Sequence, residues 1–406
     1  MAAGERSGTG GRIDAIAEVE ALAGFPGRAP GSDAERRAAR HAAGRLEALG
    51  RTVRVESVST WPHWFGSLSL IAALGAGAGV VSVYSAEAGV GLGLLALVLC
   101  LLDVGAGLPV SRRLFGRRAS QNVISPATED RPGSLVLVAH LDAGRTGFVH
   151  RPGVRRLQAR LARPRRLLGG PFQPIAWVLG ATLACAVARL AGVDAVWLTA
   201  AQFILAVALV AALALLMDIW LSPTVAGAGD NASGVAVALR LAERLGGALE
   251  HFGVTVLLTG AQESGGPDGV RAFLRRHRKE LTSDRTVIVN LDEVGSGSPC
   301  FTTREGPLLA GRSHMQLTSI CEEIAAGTEI RPLDNRAASD GFGARSAGYP
   351  AITVTCRDEY GLAPRHHRRS DLPEHLDPAA LTAAEELCVE LAERLDARVG
   401  PDLSKT

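Results

Sequence analysis

Apolar and polar positions divide this chain into two materials. In one block, Phe65–Ala86 carries no charge, and after Glu87 the run Ala88–Leu102 continues through Asp103 to about Pro109. In a second block, Leu167–Ala188 is uncharged, and after the short connection Arg189–Asp194 so is Ala195–Met217. A bilayer core takes about 20 apolar residues per helix, so each block predicts a transmembrane hairpin whose turn is too short to hold a domain. Four such runs in two tight pairs are hard to bury as core helices of a soluble protein.

Elsewhere the pattern is that of an α/β body. Ser32 is a good N-cap for a helix over Asp33–Leu49, and Arg51–Val58 alternates like a strand. Ser134–Ala139, Val254–Leu258, Val287–Asn290 and Ala351–Thr355 are short, nearly continuous apolar runs, as in strands buried on both faces. Helical patterns occupy Val235–Leu245, Val270–Leu281, Gln316–Ala326 and Pro378–Leu395. This order predicts an α/β fold, a mostly parallel central sheet with helices on both faces, plus four transmembrane helices in two inserted hairpins. The polar body would comprise residues 1–61, 118–150 and 224–406, interrupted by one hairpin at 62–117 and by a basic flank and second hairpin at 151–223.

Composition fits this division. The hydrophobic fraction is 47%, the charged fraction 21% and the mean hydropathy +0.17. With 43 basic and 41 acidic residues the net charge is +2, which excludes a disordered or nucleic-acid-coating protein and leaves the bilayer as the expected partner. Arg112, Arg113, Arg117 and Arg118 follow the first hairpin; Arg151, Arg155, Arg156, Arg160, Arg163, Arg165 and Arg166 precede the second. Cytoplasmic loops carry such an excess. The expected location is therefore a multi-pass cell-membrane protein with both termini and the polar body in the cytoplasm. Met1–Gly50 has no apolar signal core, and the six scattered cysteines form no C-x-x-C pair, both consistent with that placement. Asp103 is expected at the membrane interface rather than in a proton relay.

Polar residues gather where the apolar strands stop, which is where open α/β sheets place their sites. His140 and Asp142 stand at i and i+2 on extended backbone and so share a face. Gly227–Gly234 carries Asp230 and Asn231 into a helix; Gln262-Glu263 and Asn290-Leu291-Asp292-Glu293 follow strands; His366-His367 lies near Asp371. Each alone reads as loop polarity. Together they form an N/O donor set suited to two divalent cations bridged by a carboxylate, zinc before manganese or cobalt.

The series H-x-D, G-x-G-D-N-A-S-G, Q-E-x-G, N-L-D-E-V-G, Ser339-Asp340 with Phe342, Gly348-Tyr349-Pro350 and H-x-x-x-D resembles the M28 zinc peptidases of co-catalytic aminopeptidase type. Gly31-Ser32 and Asn122-Val123-Ile124 extend the likeness toward the N-terminus. The resemblance implies a peptide substrate and two zinc ions. It places His140 and Asp292 on one ion, Glu263 and His367 on the other, Asp230 between them, and Asp142 behind His140. His366 competes for the last ligand, but His367 keeps Asp371 four residues away. The family pattern has Glu-Glu where this chain has Gln262-Glu263, and a carboxamide cannot take a proton from water. Glu293 and Asp268 are the carboxylates available to substitute. A catalytically silent protein that keeps the site for peptide binding or structure is the alternative to an enzyme.

Overall fold

The computed structural model describes residues 13–162 and 170–403. The expected basic residues Arg163, Arg165 and Arg166 lie outside the described residues, as does the start of the second apolar block. Among the described residues, nine strands form one sheet: β1 (Arg54–Thr60), β2 (Arg118–Ser125), β3 (Gly133–His140), β4 (Phe252–Thr259), β5 (Thr286–Leu291), β6 (Ser298–Glu305), β7 (Gly311–Arg312), β8 (Arg331–Asn335) and β9 (Ala351–Arg357). Their order is β1-β2-β4-β3-β5-β9-β6-β7, with β8 beside β6. The four central strands β4, β3, β5 and β9 are parallel, and they are the four apolar runs. They are flanked by antiparallel pairings on both sides, β2 against β4 and β6 against β9. The sheet is thus mixed, with a parallel core; β6 and β8 escaped the sequence pattern because Pro299, Arg304 and Pro332 break the apolar alternation.

In chain order the helices are α1 (Ala15–Ala23), α2 (Asp33–Ala48), α3 (Trp64–Val81), α4 (Ala86–Cys100), α5 (Pro152–Ala162), α6 (Gln173–Leu190), α7 (Val196–Leu221), α8 (Ser233–Leu245), α9 (Asp268–His277), α10 (Met315–Ala325), α11 (Asp340–Ser346) and α12 (Pro378–Arg398). One face of the sheet packs against α1, α2, α8, α10 and α12 in the larger core, around Leu137, Val256, Val289 and Val354. The other face packs against α9 and α11 through Val136, Leu257, Phe273 and Ile288. Helix α9 stops at His277, four residues short of the expected end, because Arg278, Lys279 and Glu280 offer no apolar face.

Helices α3, α4, α6 and α7 are long and apolar enough to cross a membrane, α4 continuing as a π turn to Gly105. They pack on each other through Leu68, Ile71, Leu179 and Leu209 while leaving Val196, Phe203, Ile204, Val210 and Leu221 exposed. Asp103 is 3% exposed. It accepts from Ser67, from the Ser111 hydroxyl and from three backbone N–H groups at Val110–Arg112, so it caps the body-facing end of the first hairpin and does not face solvent.

Candidate metal centre

The loops that follow the parallel strands converge on one cluster. His140 is the last residue of β3, and its Nδ1 lies 3.0 Å from the Asp142 carbonyl oxygen and 3.4 Å from the Asp142 carboxylate. The same carboxylate accepts from the backbone N–H of Gln262 (3.2 Å) and Glu263 (2.7 Å). Asp142 therefore fixes the imidazole and the Gln262-Glu263 turn together.

Asp230 enters from the loop before α8. Asp371 accepts from the N–H groups of Gly229 (2.7 Å) and Asp230 (3.2 Å), and Asn231 accepts from Gly234 and Glu293 while donating to the Leu291 carbonyl. The approach is close enough to require glycine at 234: a Cβ there would lie 2.4 Å from Asn231 Oδ1 and 2.5 Å from the Leu291 oxygen. Arg28, 1% exposed, donates to the carbonyls of Leu22, Leu141 and Gly227, tying α1 to the end of β3 and to the Asp230 loop.

Asp230 presents its two oxygens to two separate groups. Oδ1 is 3.3 Å from His140 Nε2, which is 3.5 Å from Asp292 Oδ1. Oδ2 is 3.3 Å from His367 Nε2, which is 3.2 Å from Glu263 Oε2. Tetrahedral zinc with bonds of 2.0–2.1 Å separates its ligand atoms by about 3.3 Å. His140 Nε2, Asp230 Oδ2 and His367 Nε2 are moreover buried without a hydrogen-bond partner. Buried polar atoms are rarely left unpaired, so these residues fit cations held from both sides of Asp230. The five residues singled out in the sequence are thus brought together.

His366 reaches the same Asp230 oxygen from the Glu293 side. Its Nδ1 lies 2.6 Å from Glu293 and 3.1 Å from Asp230 Oδ2, and its ring stacks on His367 at 3.9 Å. Glu293 also meets Arg357 at 3.1 Å. Burial would raise its carboxyl, but His366 and Arg357 outweigh that and hold it at about 2. Asp268 accepts from Thr60 and Ser264, both at 2.9 Å, and faces Arg112 at 3.8 Å. It is directed to the first hairpin, away from the ligand cluster.

The electrostatics follow from packing carboxylates around buried imidazoles. Burial lowers His140 and His367, yet the carboxylates of Asp142, Asp230 and Asp292 around the former, and Glu263 and Asp230 around the latter, hold both well above the ordinary imidazole range. Burial pushes Asp230 up, but His140, His366 and His367 draw it well below the carboxylate range. Burial raises Asp371 to about 6 and Asp340, bonded by Thr259, to about 7.

Two neighbours were not expected at the site. His150, in a short 3-10 turn at Phe148–His150, has its ring 4.7 Å from that of His367 and 5.5 Å from that of His366. Burial and those two imidazoles keep it well below its ordinary range, hence neutral. Arg155 on α5 donates to the Ala363 carbonyl at 3.0 Å. Both belong to a stretch that reads as basic membrane flank, and nothing in its spacing marks them.

Residues 214–392 match the model of peptidase family M28. Among solved structures, a glutaminyl cyclase of Bacteroides thetaiotaomicron bound to N-acetylhistamine is 14% identical with a TM-score of 0.53, over 94% of this chain and 98% of that one. The LapA aminopeptidase of Legionella pneumophila is 11% identical with a TM-score of 0.52, over 95% and 73%. A Zn-dependent exopeptidase from Parabacteroides distasonis is 13% identical with a TM-score of 0.52, over 94% and 98%. At these identities the likeness is one of fold. No curated protein matches the sequence significantly.

Proposed function

We propose that this chain, whose residues 214–392 match the model of peptidase family M28, is a membrane-held metallopeptidase of aminopeptidase type with two zinc ions and with its body on the cytoplasmic side. The observation that carries the reading is the pair of donor groups on either side of Asp230, with three of their atoms buried and making no hydrogen bond. His140 and Asp292 would hold one ion, Glu263 and His367 the other, and Asp230 both. Bound there, zinc would supply Lewis-acid polarisation of a peptide carbonyl and a water acidified toward a pKa of about 7.

The chain's own groups then do the following. Asp142 fixes His140 and aims Glu263 by holding the backbone of its turn. Asp371 holds the Asp230 loop by two N–H groups. Gln262 can orient a water by hydrogen bonding but cannot accept its proton. Glu293, held at about 2 and paired with His366 and Arg357, is a weak acceptor. General base catalysis contributes about 10²–10⁴-fold, so slow turnover is expected.

Gln262 also favours a second reading, a catalytically silent protein that retains the site for peptide binding or structure. Both are tested by purifying the protein in detergent, loading zinc and assaying aminoacyl chromogenic substrates and an N-terminal glutaminyl peptide beside Gln262→Glu. Turnover by the wild type that is abolished in Glu263→Ala supports the enzyme. An inert wild type with an active Gln262→Glu variant supports the silent reading.

A further inference from the structure

The two apolar hairpins meet the α/β body at the edge that bears the ligand cluster. Helix α3 begins at Trp64, which packs on Gly265, two residues beyond Glu263: a Cβ on that glycine would lie 2.4 Å from Trp64 Cβ. Past the other end of this hairpin, Arg112 is 1% exposed and donates to the carbonyls of Ser264 (3.0 Å) and Gly107 (3.2 Å). Arg271 of α9 donates to the carbonyls of Gly107 and Ala106.

The second hairpin makes matching contacts. Gln173, at the start of α6, donates to the Leu308 carbonyl at 2.7 Å. At the end of α7, Asp218 accepts from the Phe148 N–H at 2.5 Å, and Arg145 donates to the carbonyls of Trp220 and Ser222. Phe148 opens the turn that sets His150 against His367. Three of the four body-facing helix ends therefore land on loops that follow β3 and β4, at the carboxyl edge of the parallel strands, and the fourth, at Gln173, meets the loop after the antiparallel β6. His140, Glu263 and Asp292 sit at that same carboxyl edge of the sheet.

Aromatic residues mark where the interface lies. Trp61, Trp64 and Trp220 stand at the body-facing ends, with Arg113 over the Trp61 ring at 5.4 Å and His63 6.3 Å from Trp220. Tyr84 and Trp197 stand at the opposite, turn-bearing ends, 88% and 65% exposed. Tryptophan and tyrosine concentrate at both membrane–water interfaces, so the inner belt lies at the level of the Glu263 loop.

We propose that the ligand cluster opens onto the bilayer interface and that its substrates are peptides anchored in the same membrane, each presenting a free N-terminus close to the headgroups. The proposal rests on reading the cluster as a peptidase site and names its substrate class. Geometry makes it testable. A compact body of roughly 280 residues is about 50 Å across, so an N-terminus reaching a site on the far edge needs an extended spacer of about 14 residues at 3.3–3.6 Å each. A site on the near edge is reached by a few.

The full-length protein is reconstituted in phosphatidylcholine–phosphatidylglycerol vesicles. It is exposed to peptides carrying an N-terminal benzoylphenylalanine, a spacer of about 3, 8 or 20 residues and a C-terminal membrane anchor. After irradiation the cross-links are mapped by mass spectrometry. The expected result is labelling of residues 144–151 or 262–266 by the shortest spacer, at least tenfold above the same peptide without its anchor. Labelling confined to the longest spacer, equal labelling with and without the anchor, or none overturns the proposal. Because cross-linking reads position without turnover, the two claims separate. Short-spacer labelling combined with no cleavage of any peptide by zinc-loaded Gln262→Glu rejects the peptidase reading and leaves the membrane-facing site standing.

Discussion

At the residue scale, the site has the cation-ligating side chains but a carboxamide, Gln262, where a carboxylate would take the proton from water. Replacing the Gln262 carboxamide by a carboxylate is expected to raise turnover by about 10²–10⁴-fold in zinc-loaded protein; steady-state rates on an aminoacyl chromogenic substrate check this, and an unchanged rate contradicts it. Gly144 makes a sharper structural test, since a Cβ there would lie 2.2 Å from His367 Nε2. Gly144→Ala should displace His367 and halve the bound zinc, read by elemental analysis, while the fold melts at nearly the wild-type temperature. Asp340 gives the pH dependence. Its carboxyl stands at about 7 when folded, from an ordinary 3.8, because burial outweighs its single hydroxyl donor. The folded state therefore holds the proton more tightly, and stability falls as pH rises through this window. Asp340→Asn, which cannot ionise, should gain on the wild type between pH 5 and pH 8 by an amount on the order of a few kcal/mol; thermal melts of the zinc-free protein at the two pH values decide it, and a gap that does not widen counts against it. The ligand residues were legible because each ends an apolar strand or opens a helix in a recognisable series. The direction of Asp268 was not, since a carboxylate five residues beyond Glu263 can turn either way and only Thr60 and Ser264 decide. His150 carried no signal, for its contact with His367 depends on how the second hairpin returns to the body.

At the element scale, the buried arginines join pieces distant in sequence. Arg112 links the first hairpin to the Ser264 carbonyl, and Arg28 links α1 to the Asp230 loop. Removing one partner of a buried charged network typically costs about 3–5 kcal/mol. Arg112→Met is therefore expected to lower the thermal midpoint in detergent and to loosen zinc at the Glu263 side, as followed by competition with a chromogenic chelator; wild-type values for both would contradict this account. The parallel strands β3, β4, β5 and β9 were legible because strands covered on both faces are apolar throughout. The margins were less so: β2 begins with Arg118 and Ala119 exposed, β6 carries Thr302, Thr303 and Arg304 after its apolar residues, and β8 is exposed or half-covered over most of its length. Helix α2 could be read almost to the residue because the Ser32 side chain caps it by accepting from the Glu35 N–H. The further role of Glu35, whose carboxylate accepts from Gly31, Ser120 and Ala261 and so props the Gln262 turn, depends on tertiary contacts that no local pattern announces.

At the scale of the whole molecule, four apolar helices and an arginine-rich α/β body share one chain, and the hairpins attach where the chemistry is concentrated. The uneven placement of arginines argues for a cytoplasmic body; a reporter fused after Thr406 should be active only in its cytoplasmic form, and activity on the far side of the membrane would reverse the topology. The two materials were legible from hydropathy alone, whereas the edge of the sheet on which the hairpins land required Trp64, Arg112, Gln173 and Asp218 to be seen with their partners. The central claim is that Asp230 bridges two cations, each completed by a histidine and a carboxylate. Zinc bound per chain, measured by elemental analysis on protein purified in detergent, tests it most directly: the account predicts two in the wild type and a loss of both in Asp230→Ala, while a single zinc, or two that survive the loss of Asp230, would contradict it.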